Sequence, residues 1–208
     1  MIPVKQFATH GIANTRLPNA ALDYVMTDVS GELEGMRYRA IRAEPETSDG
    51  PLITYERDCK INSPQQCWYA GAGPRLRTFA DSTAVRGAIE SVTGMRDLVL
   101  VRCGYKYYSR GDYIGIHTDK QQCDVTITMS VRDRAEPMVV WPELYKASLV
   151  ALRTAFGTTS VLPDGGLVAP LEKGMLNVFA GHDLPHARPC HGQGETAILT
   201  ACYLKLEE

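Results

Sequence analysis

The chain has 208 residues, with 22 Lys and Arg set against 24 Asp and Glu and a formal net charge of -2. That fits one ordinary domain and leaves no basic stripe to neutralise a run of phosphates, so nucleic acid is not an expected partner. Uncharged apolar runs stay too short for a bilayer and Met1 to Ala13 lacks a signal-like apolar core, so a cytoplasmic location is expected and a membrane partner is not.

Along the chain, Pro18 and Asn19 open a stretch with Ala20, Ala21, Leu22, Val25 and Met26 at helical intervals, which predicts a helix ending before Ser30 and Gly31. Residues Arg37 to Arg77 are broken up by Pro45, Gly50, Pro51, Pro64, Gly71, Gly73 and Pro74, a pattern of short strands and long loops. A second helix is expected over Ser82 to Val92, closed by Gly94. From Asp97 the rhythm changes. Leu98 to Arg102, Val125 to Val131, Met138 to Trp141, Leu167 to Pro170, Met175 to Phe179 and Thr196 to Leu204 are short apolar or β-branched runs separated by turn residues, the pattern of a sandwich or jelly roll. Glu143 to Phe156 interrupts it, with Leu144, Ala147, Leu152 and Ala155 spaced for one helical face. Six cysteines, Cys59, Cys67, Cys103, Cys123, Cys190 and Cys202, form no Cys-x-x-Cys pair, which argues against a zinc knuckle or a redox dithiol and for small buried thiols.

The most informative stretch is Asp112-Tyr113-Ile114-Gly115-Ile116-His117-Thr118-Asp119. In an extended segment His117 and Asp119 face the same side and can offer an imidazole nitrogen and a carboxylate oxygen to one ion. A third ligand from far along the chain would complete a facial triad with its opposite side open, the arrangement that suits iron(II). His182, His186 and His191 all follow the run ending at Phe179. His186 is favoured because Leu184 to Pro189 reads as an extended approach into a strand, and His182, after Gly181 in a turn, is the alternative.

Val101 to Asp119 and Gly174 to Tyr203 resemble the two signature regions of the iron(II) and 2-oxoglutarate-dependent oxygenases, particularly the prolyl-4-hydroxylase-like branch. The matching residues are Tyr108-Ser109-Arg110-Gly111-Asp112 leading to His117-Thr118-Asp119, then Gly174 to Phe179, His186, and the Gly192-Gln193-Gly194 turn before a terminal strand. The resemblance covers roughly the C-terminal half. It implies a single, mainly β oxygenase domain with flanking helices (α+β). Residues 96–208 would form a double-stranded β-helix of cupin-like jelly-roll type, and residues 1–95 N-terminal helices and pocket loops. It also implies an Fe(II) centre at His117, Asp119 and His186, 2-oxoglutarate as cosubstrate, and molecular oxygen and a small molecule as reaction partners.

The pattern departs from the family at one point. Members place an Arg or Lys at the start of the last strand to grip the far carboxylate of 2-oxoglutarate, and here Glu195 and Thr196 stand there. Arg188, two residues past His186 and so on the same strand face, is the preferred substitute. Arg102 and Arg132 are alternatives, and the Tyr108 hydroxyl is a possible donor to the cosubstrate. Asp183, Thr118 and Thr128 are candidates to orient the ligands, and Trp68, Tyr69, Arg75 and Trp141 are candidates to line the substrate pocket. The presence of Asp119 favours hydroxylation, desaturation or cyclisation over halogenation, on a free small molecule such as an amino acid or a natural-product intermediate. Three readings stay open beside it: an iron oxidase that does not use 2-oxoglutarate, a cupin-like metal isomerase or dioxygenase, and a non-enzymatic β-barrel binding module.

Overall fold

A computed structural model describes residues 2–36, 39–43, 53–55, 58–131, 134–157, 164–192 and 194–206. In chain order its strands are β1 Ile12–Arg16, β2 Arg39–Ala43, β3 Gln65–Gly71, β4 Leu98–Tyr108, β5 Tyr113–His117, β6 Val125–Ser130, β7 Arg134–Val140, β8 Leu167–Glu172, β9 Met175–Phe179, β10 His186–Arg188 and β11 Thr196–Lys205. The α-helices are α1 Ile2–His10, α2 Asn19–Tyr24, α3 Ser30–Glu34, α4 Pro74–Ala80, α5 Thr83–Thr93 and α6 Leu149–Phe156. Among the described residues no helix is long and apolar enough to cross a membrane.

From β4 onward the strands wind between two walls, with β7 and β8 consecutive in one of them. β9, β6, β11 and β4 lie side by side in one, and β5, β10, β7 and β8 in the other, with antiparallel pairing in both. This winding is a double-stranded β-helix, as the strand rhythm and the resemblance lead one to expect. β3 stitches the walls together by pairing with β4 through Trp68 to Gly71 and with β5 through Gln65 and Gln66. β1 extends the far edge by pairing with β9. The N-terminal region therefore supplies strands as well as helices and loops. β1 buries Ile12 and Ala13 in succession rather than in alternation, so its sequence carries little strand periodicity.

All the helices but α6 lie on the outer face of the first wall. α5 starts where the Ser82 side chain accepts the Val85 N–H and stops at Gly94, whose φ of 71° suits a residue without a Cβ. Its Val85, Ala88, Ile89 and Val92 are buried at helical spacing, and they pack with Cys103 and Tyr105 of β4 and Leu199 and Tyr203 of β11 in one cluster. Each such large apolar side chain contributes roughly 1.5–3 kcal/mol on burial.

The helix expected to end before Ser30 runs on through a π-helical turn, Val25–Val29, into α3. A glycine costs a helix only about 1 kcal/mol, and continuation buries Leu33 and carries Glu32 to a cluster of donors. The Glu32 carboxylate accepts the Arg75 and Leu76 N–H groups, at 2.8 and 3.2 Å, and the Tyr105 hydroxyl at 2.8 Å. α4, which begins with Pro74 at its first turn, falls in the stretch read from sequence as strands and loops, because Pro74 and the preceding Gly71 and Gly73 masked a short apolar face of Leu76, Phe79 and Ala80.

The second wall is covered by α6 and the segment around Ile53 and Ile61, which pack with Ile116, Trp141, Leu152, Phe156 and Ala187. α6 lies within the expected helical interruption but begins only at Leu149, capped by Ser148. Between the walls the deep end is filled by Tyr108, Ile114, Met138, Leu171 and Ile198, among others. The open end remains polar.

Candidate metal centre

The pairing of β5 with β10 sets the geometry. His117, the last residue of β5, stands opposite His186, the first of β10, and residues directly opposed across a ladder face the same side. The ring centroids are 4.1 Å apart at an interplanar angle of 54°. Just beyond β5, the Asp119 N–H donates to Gly181 O at 2.8 Å, which turns the Asp119 side chain back toward the imidazoles. One ligand atom from each of His117, Asp119 and His186 lies within 4.8 Å of the other two.

Backbone carbonyls fix the state of both rings. Nδ1 of His117 is 2.9 Å from Gly115 O, and Nδ1 of His186 is 2.9 Å from Leu184 O. A carbonyl only accepts, so each Nδ1 carries the proton and each Nε2 lone pair is free for a ligand. Burial first, and for His117 the neighbouring His186 and Lys106, hold both imidazoles below their ordinary pKa and so keep them neutral. Burial opposes ionisation of Asp119, but His186, His117, Lys106 and the Thr126 hydroxyl outweigh it and hold its pKa at about 2. Two neutral imidazoles and one carboxylate result, a donor set that fits a divalent first-row metal.

Three residues not anticipated from sequence support this arrangement. Thr126 Oγ1 donates to Asp119 Oδ2 at 2.6 Å and orients the carboxylate, a role expected of Asp183, Thr118 or Thr128. Those three do otherwise. Asp183 pairs with Lys60 at 2.6 Å, Thr118 Oγ1 accepts the Ile61 N–H at 3.3 Å, and the Thr128 hydroxyl is buried without a hydrogen-bond partner. Lys106 reaches the cavity from β4. Gly181 is the third: a Cβ there would fall on Thr126 Oγ1 and Asp119 Oδ2. Gly181→Ala is therefore expected to leave the backbone unstrained, since no positive φ is required, yet to displace the carboxylate. Metal affinity should fall roughly 10- to 100-fold, as for loss of a ligand-orienting contact, with a thermal midpoint nearly that of wild type. Calorimetric titration with Co(II) beside a melting curve would measure both.

The other histidines stay apart from the triad. Nδ1 of His182 is 3.3 Å from the Asp119 carbonyl, and its backbone N–H donates to Cys123 O. His191 is buried, held by backbone hydrogen bonds to Asp112 and Gly111, and neither ring nitrogen has a hydrogen-bond partner.

From the triad a narrow cavity of about 40 Å³ extends between the walls, lined by Lys106, Tyr108, Ile114, Thr126, Thr128, Met138, Phe179, Arg188, Ile198 and Thr200. Arg188 is 6% exposed. Its guanidinium lies 4.7 Å from the Tyr108 ring centroid, and Nη1 donates to Glu136 O at 2.8 Å. Among the described residues no carboxylate forms a salt bridge with it. Burial lowers the pKa of Arg188, and burial raises that of Tyr108.

The remaining sequence candidates are spread out. Arg102 lies toward the open end, with Nη2 3.7 Å from Cys202 Sγ, and lines an outer cavity that also reaches His117 and Asp119. Tyr69 lines that outer cavity too. Thr196 pairs with Tyr108 across β11 and β4, buried, with no partner for its hydroxyl, and is not among the residues lining the inner cavity. Arg132 lies outside the described residues. Trp141, considered as a pocket residue, is instead core, edge-on to Phe156 at 5.3 Å. Arg75 pairs with Asp28 at the surface. Trp68 is 37% exposed and is not among the residues lining either cavity.

No family model and no curated protein matches the chain by sequence. Solved structures do match by fold. A prolyl-4-hydroxylase from Pseudomonas putida superposes with a TM-score of 0.54 at 18% identity, covering 100% of both chains. The non-haem alpha-ketoglutarate-dependent carbocyclase SnoK of nogalamycin biosynthesis gives 0.66 at 11% identity, over 98% of this chain and 83% of the other. HygX from Streptomyces hygroscopicus, solved with nickel, 2-oxoglutarate and hygromycin B bound, gives 0.64 at 11% identity, over 98% and 86%. At such identities the likeness speaks for architecture: the chain has the double-stranded β-helix fold of the iron(II) and 2-oxoglutarate-dependent oxygenases, a prolyl-4-hydroxylase among them.

Proposed function

We propose that the chain is a non-haem iron(II) oxygenase that uses 2-oxoglutarate as cosubstrate and hydroxylates, desaturates or cyclises a small molecule such as an amino acid or a natural-product intermediate. One observation carries the reading. A site of two imidazoles and one carboxylate shares a cavity with a buried guanidinium that, among the described residues, forms no salt bridge. A buried unpaired charge is costly, so its presence argues for an anionic ligand arriving from outside the chain. The fold neighbours that bind 2-oxoglutarate and act on small molecules support the same reading.

In this reading His117, Asp119 and His186 would hold the ion. When bound, iron(II) with 2-oxoglutarate and oxygen supplies the oxidising power to break a substrate C–H bond. The protein's own contribution is positional. Nδ1 of each histidine is locked to a carbonyl, so the Nε2 atoms cannot swing away, and Thr126 holds the carboxylate. Arg188 would pair with the distal carboxylate of the cosubstrate, its guanidinium held against the Tyr108 ring, 4.7 Å from the centroid. Ile114, Met138, Phe179 and Ile198 exclude water around that carboxylate and strengthen the pairing.

Anaerobic titration of the iron-loaded protein with 2-oxoglutarate is the test. A metal-to-ligand charge-transfer band should appear and saturate, and succinate should form once air and ascorbate are admitted. If iron binds tightly yet neither signal appears, the cosubstrate is wrong. If iron does not bind, the oxygenase reading is lost altogether.

A further inference from the structure

Beside the triad lies a pair of thiols that the proposed reaction does not use. Cys123 sits in the loop between β5 and β6, and Cys202 on β11. Both are buried and free. Their Sγ atoms lie within 4.8 Å of each other and of an Asp119 carboxylate oxygen. Thr126 Oγ1, the donor to Asp119, is also 3.7 Å from Cys202 Sγ. Cys202 stands at an irregularity in the ladder, where the register with β4 shifts between it and Tyr203. It also lines the outer cavity that reaches His117 and Asp119, so a small solute entering there meets its sulfur. The Arg102 guanidinium, 3.7 Å from that sulfur, would repel a cation lodged between the thiols, which leaves oxidation rather than a second metal as their chemistry.

We propose that Cys123 and Cys202 are a modification site: hydrogen peroxide entering the outer cavity joins them in a disulfide that displaces Asp119 and weakens metal binding. In the first step the Cys202 sulfur attacks one peroxide oxygen and the O–O bond breaks. The sulfur is oxidised to a sulfenic acid, and the other oxygen leaves with the thiol proton as water. In the second step the Cys123 sulfur displaces the sulfenic oxygen, which takes up the Cys123 proton and leaves as a second water. Two thiols have then lost two electrons to one peroxide.

A disulfide requires the sulfurs to close from within 4.8 Å to about 2.05 Å, a closure that draws Cys123 and the loop bearing it toward β11. Asp119 lies in the same loop, its own N–H tied to Gly181, and the Cys123 carbonyl is tied to the His182 N–H. Movement of the sulfur therefore pulls on both segments that place the carboxylate. The effect on metal rests on the function proposed above, whereas the disulfide itself does not.

The test treats the full-length, metal-free protein with hydrogen peroxide, blocks remaining thiols with N-ethylmaleimide in denaturant, and maps the peptides by mass. The Cys123 and Cys202 peptides should be joined and released by dithiothreitol. Co(II) affinity should fall roughly 10- to 100-fold on oxidation and recover on reduction. In Cys202→Ala both the cross-link and the peroxide response of Co(II) affinity should vanish. Recovery of the two cysteines as separate adducts overturns the proposal, as does a cross-link to Cys59 or a Cys123–Cys202 bond that leaves Co(II) affinity unchanged. If the reduced protein binds no Co(II), the oxygenase reading fails while the peptide map still decides the disulfide.

Discussion

Asp119→Ala and His186→Ala are each expected to abolish iron(II) binding at micromolar metal, and with it any conversion of 2-oxoglutarate to succinate. The loss follows from the donor count. The three ligand atoms come from two imidazoles and one carboxylate, and Asp119 supplies the only negative charge among them. Its loss leaves two neutral nitrogens facing a dication, so affinity should fall by more than the roughly 10- to 100-fold typical when only an orienting neighbour is removed. His186→Ala removes a nitrogen and also opens a void beside Phe179, whose ring centroid is 4.8 Å away, so its melting point should drop as well. Asp119→Ala should leave the melting point closer to wild type, because among the described residues the carboxylate's side-chain hydrogen bond is the one from Thr126. Calorimetric titration with iron(II) under argon, with Co(II) as an air-stable check, measures the affinities. Wild-type affinity in either variant would remove these side chains from the metal's coordination sphere.

How far the site could be read from sequence depends on how each residue arrives there. His117 and Asp119 are two apart on an extended segment, and Arg188 is two past His186, so local strand geometry alone puts each pair on a common face. What sequence could not supply is the register that brings the two segments together, the direct opposition of His117 and His186 across β5 and β10. The same gap hid Lys106, Thr126 and Gly181. Lys106 reads as one charged residue in a long strand, and Thr126 as an ordinary β-branched strand residue. Gly181 reads as a turn glycine, whereas its lack of a Cβ serves the approach of Asp119. The Cys123 and Cys202 pair is similar: widely separated in sequence, it matches no spacing motif and becomes a pair only when β11 lies beside β6.

The fold was legible where periodicity was strong and burial one-sided. β9 coincides with the run expected at Met175 to Phe179, and α5 differs from its expected span by a residue at each end. Legibility failed where context outweighed propensity. The helix through Gly31 continues because Glu32 gains the N–H groups of Arg75 and Leu76 and the hydroxyl of Tyr105, partners that lie far along the chain.

Arg188→Met should separate cosubstrate binding from metal binding. Methionine keeps much of the apolar stem but removes the charge, so the cavity stays filled and the triad is untouched. Truncating one partner of a buried, hydrogen-bonded charge pair costs about 2–4 kcal/mol, which corresponds to a rise of roughly 30- to 700-fold in the apparent Kd for 2-oxoglutarate. Iron(II) affinity should remain within about twofold of wild type, since Arg188 touches Tyr108 and the Glu136 carbonyl rather than a metal ligand. A purely structural arginine would behave differently. Its removal would lower the melting point and leave the Kd for 2-oxoglutarate unchanged, whereas an anion-binding arginine, buried and unpaired in the absence of its ligand, costs the free protein stability, so the free variant should melt no lower than wild type. The stabilisation that saturating 2-oxoglutarate gives the metal-loaded wild type should in turn be lost in the variant. Thermal denaturation with and without 2-oxoglutarate, alongside the charge-transfer titration, reads all of these. If Arg188→Met binds 2-oxoglutarate as wild type does, the anchor must be sought at Lys106, the other cation lining the same cavity.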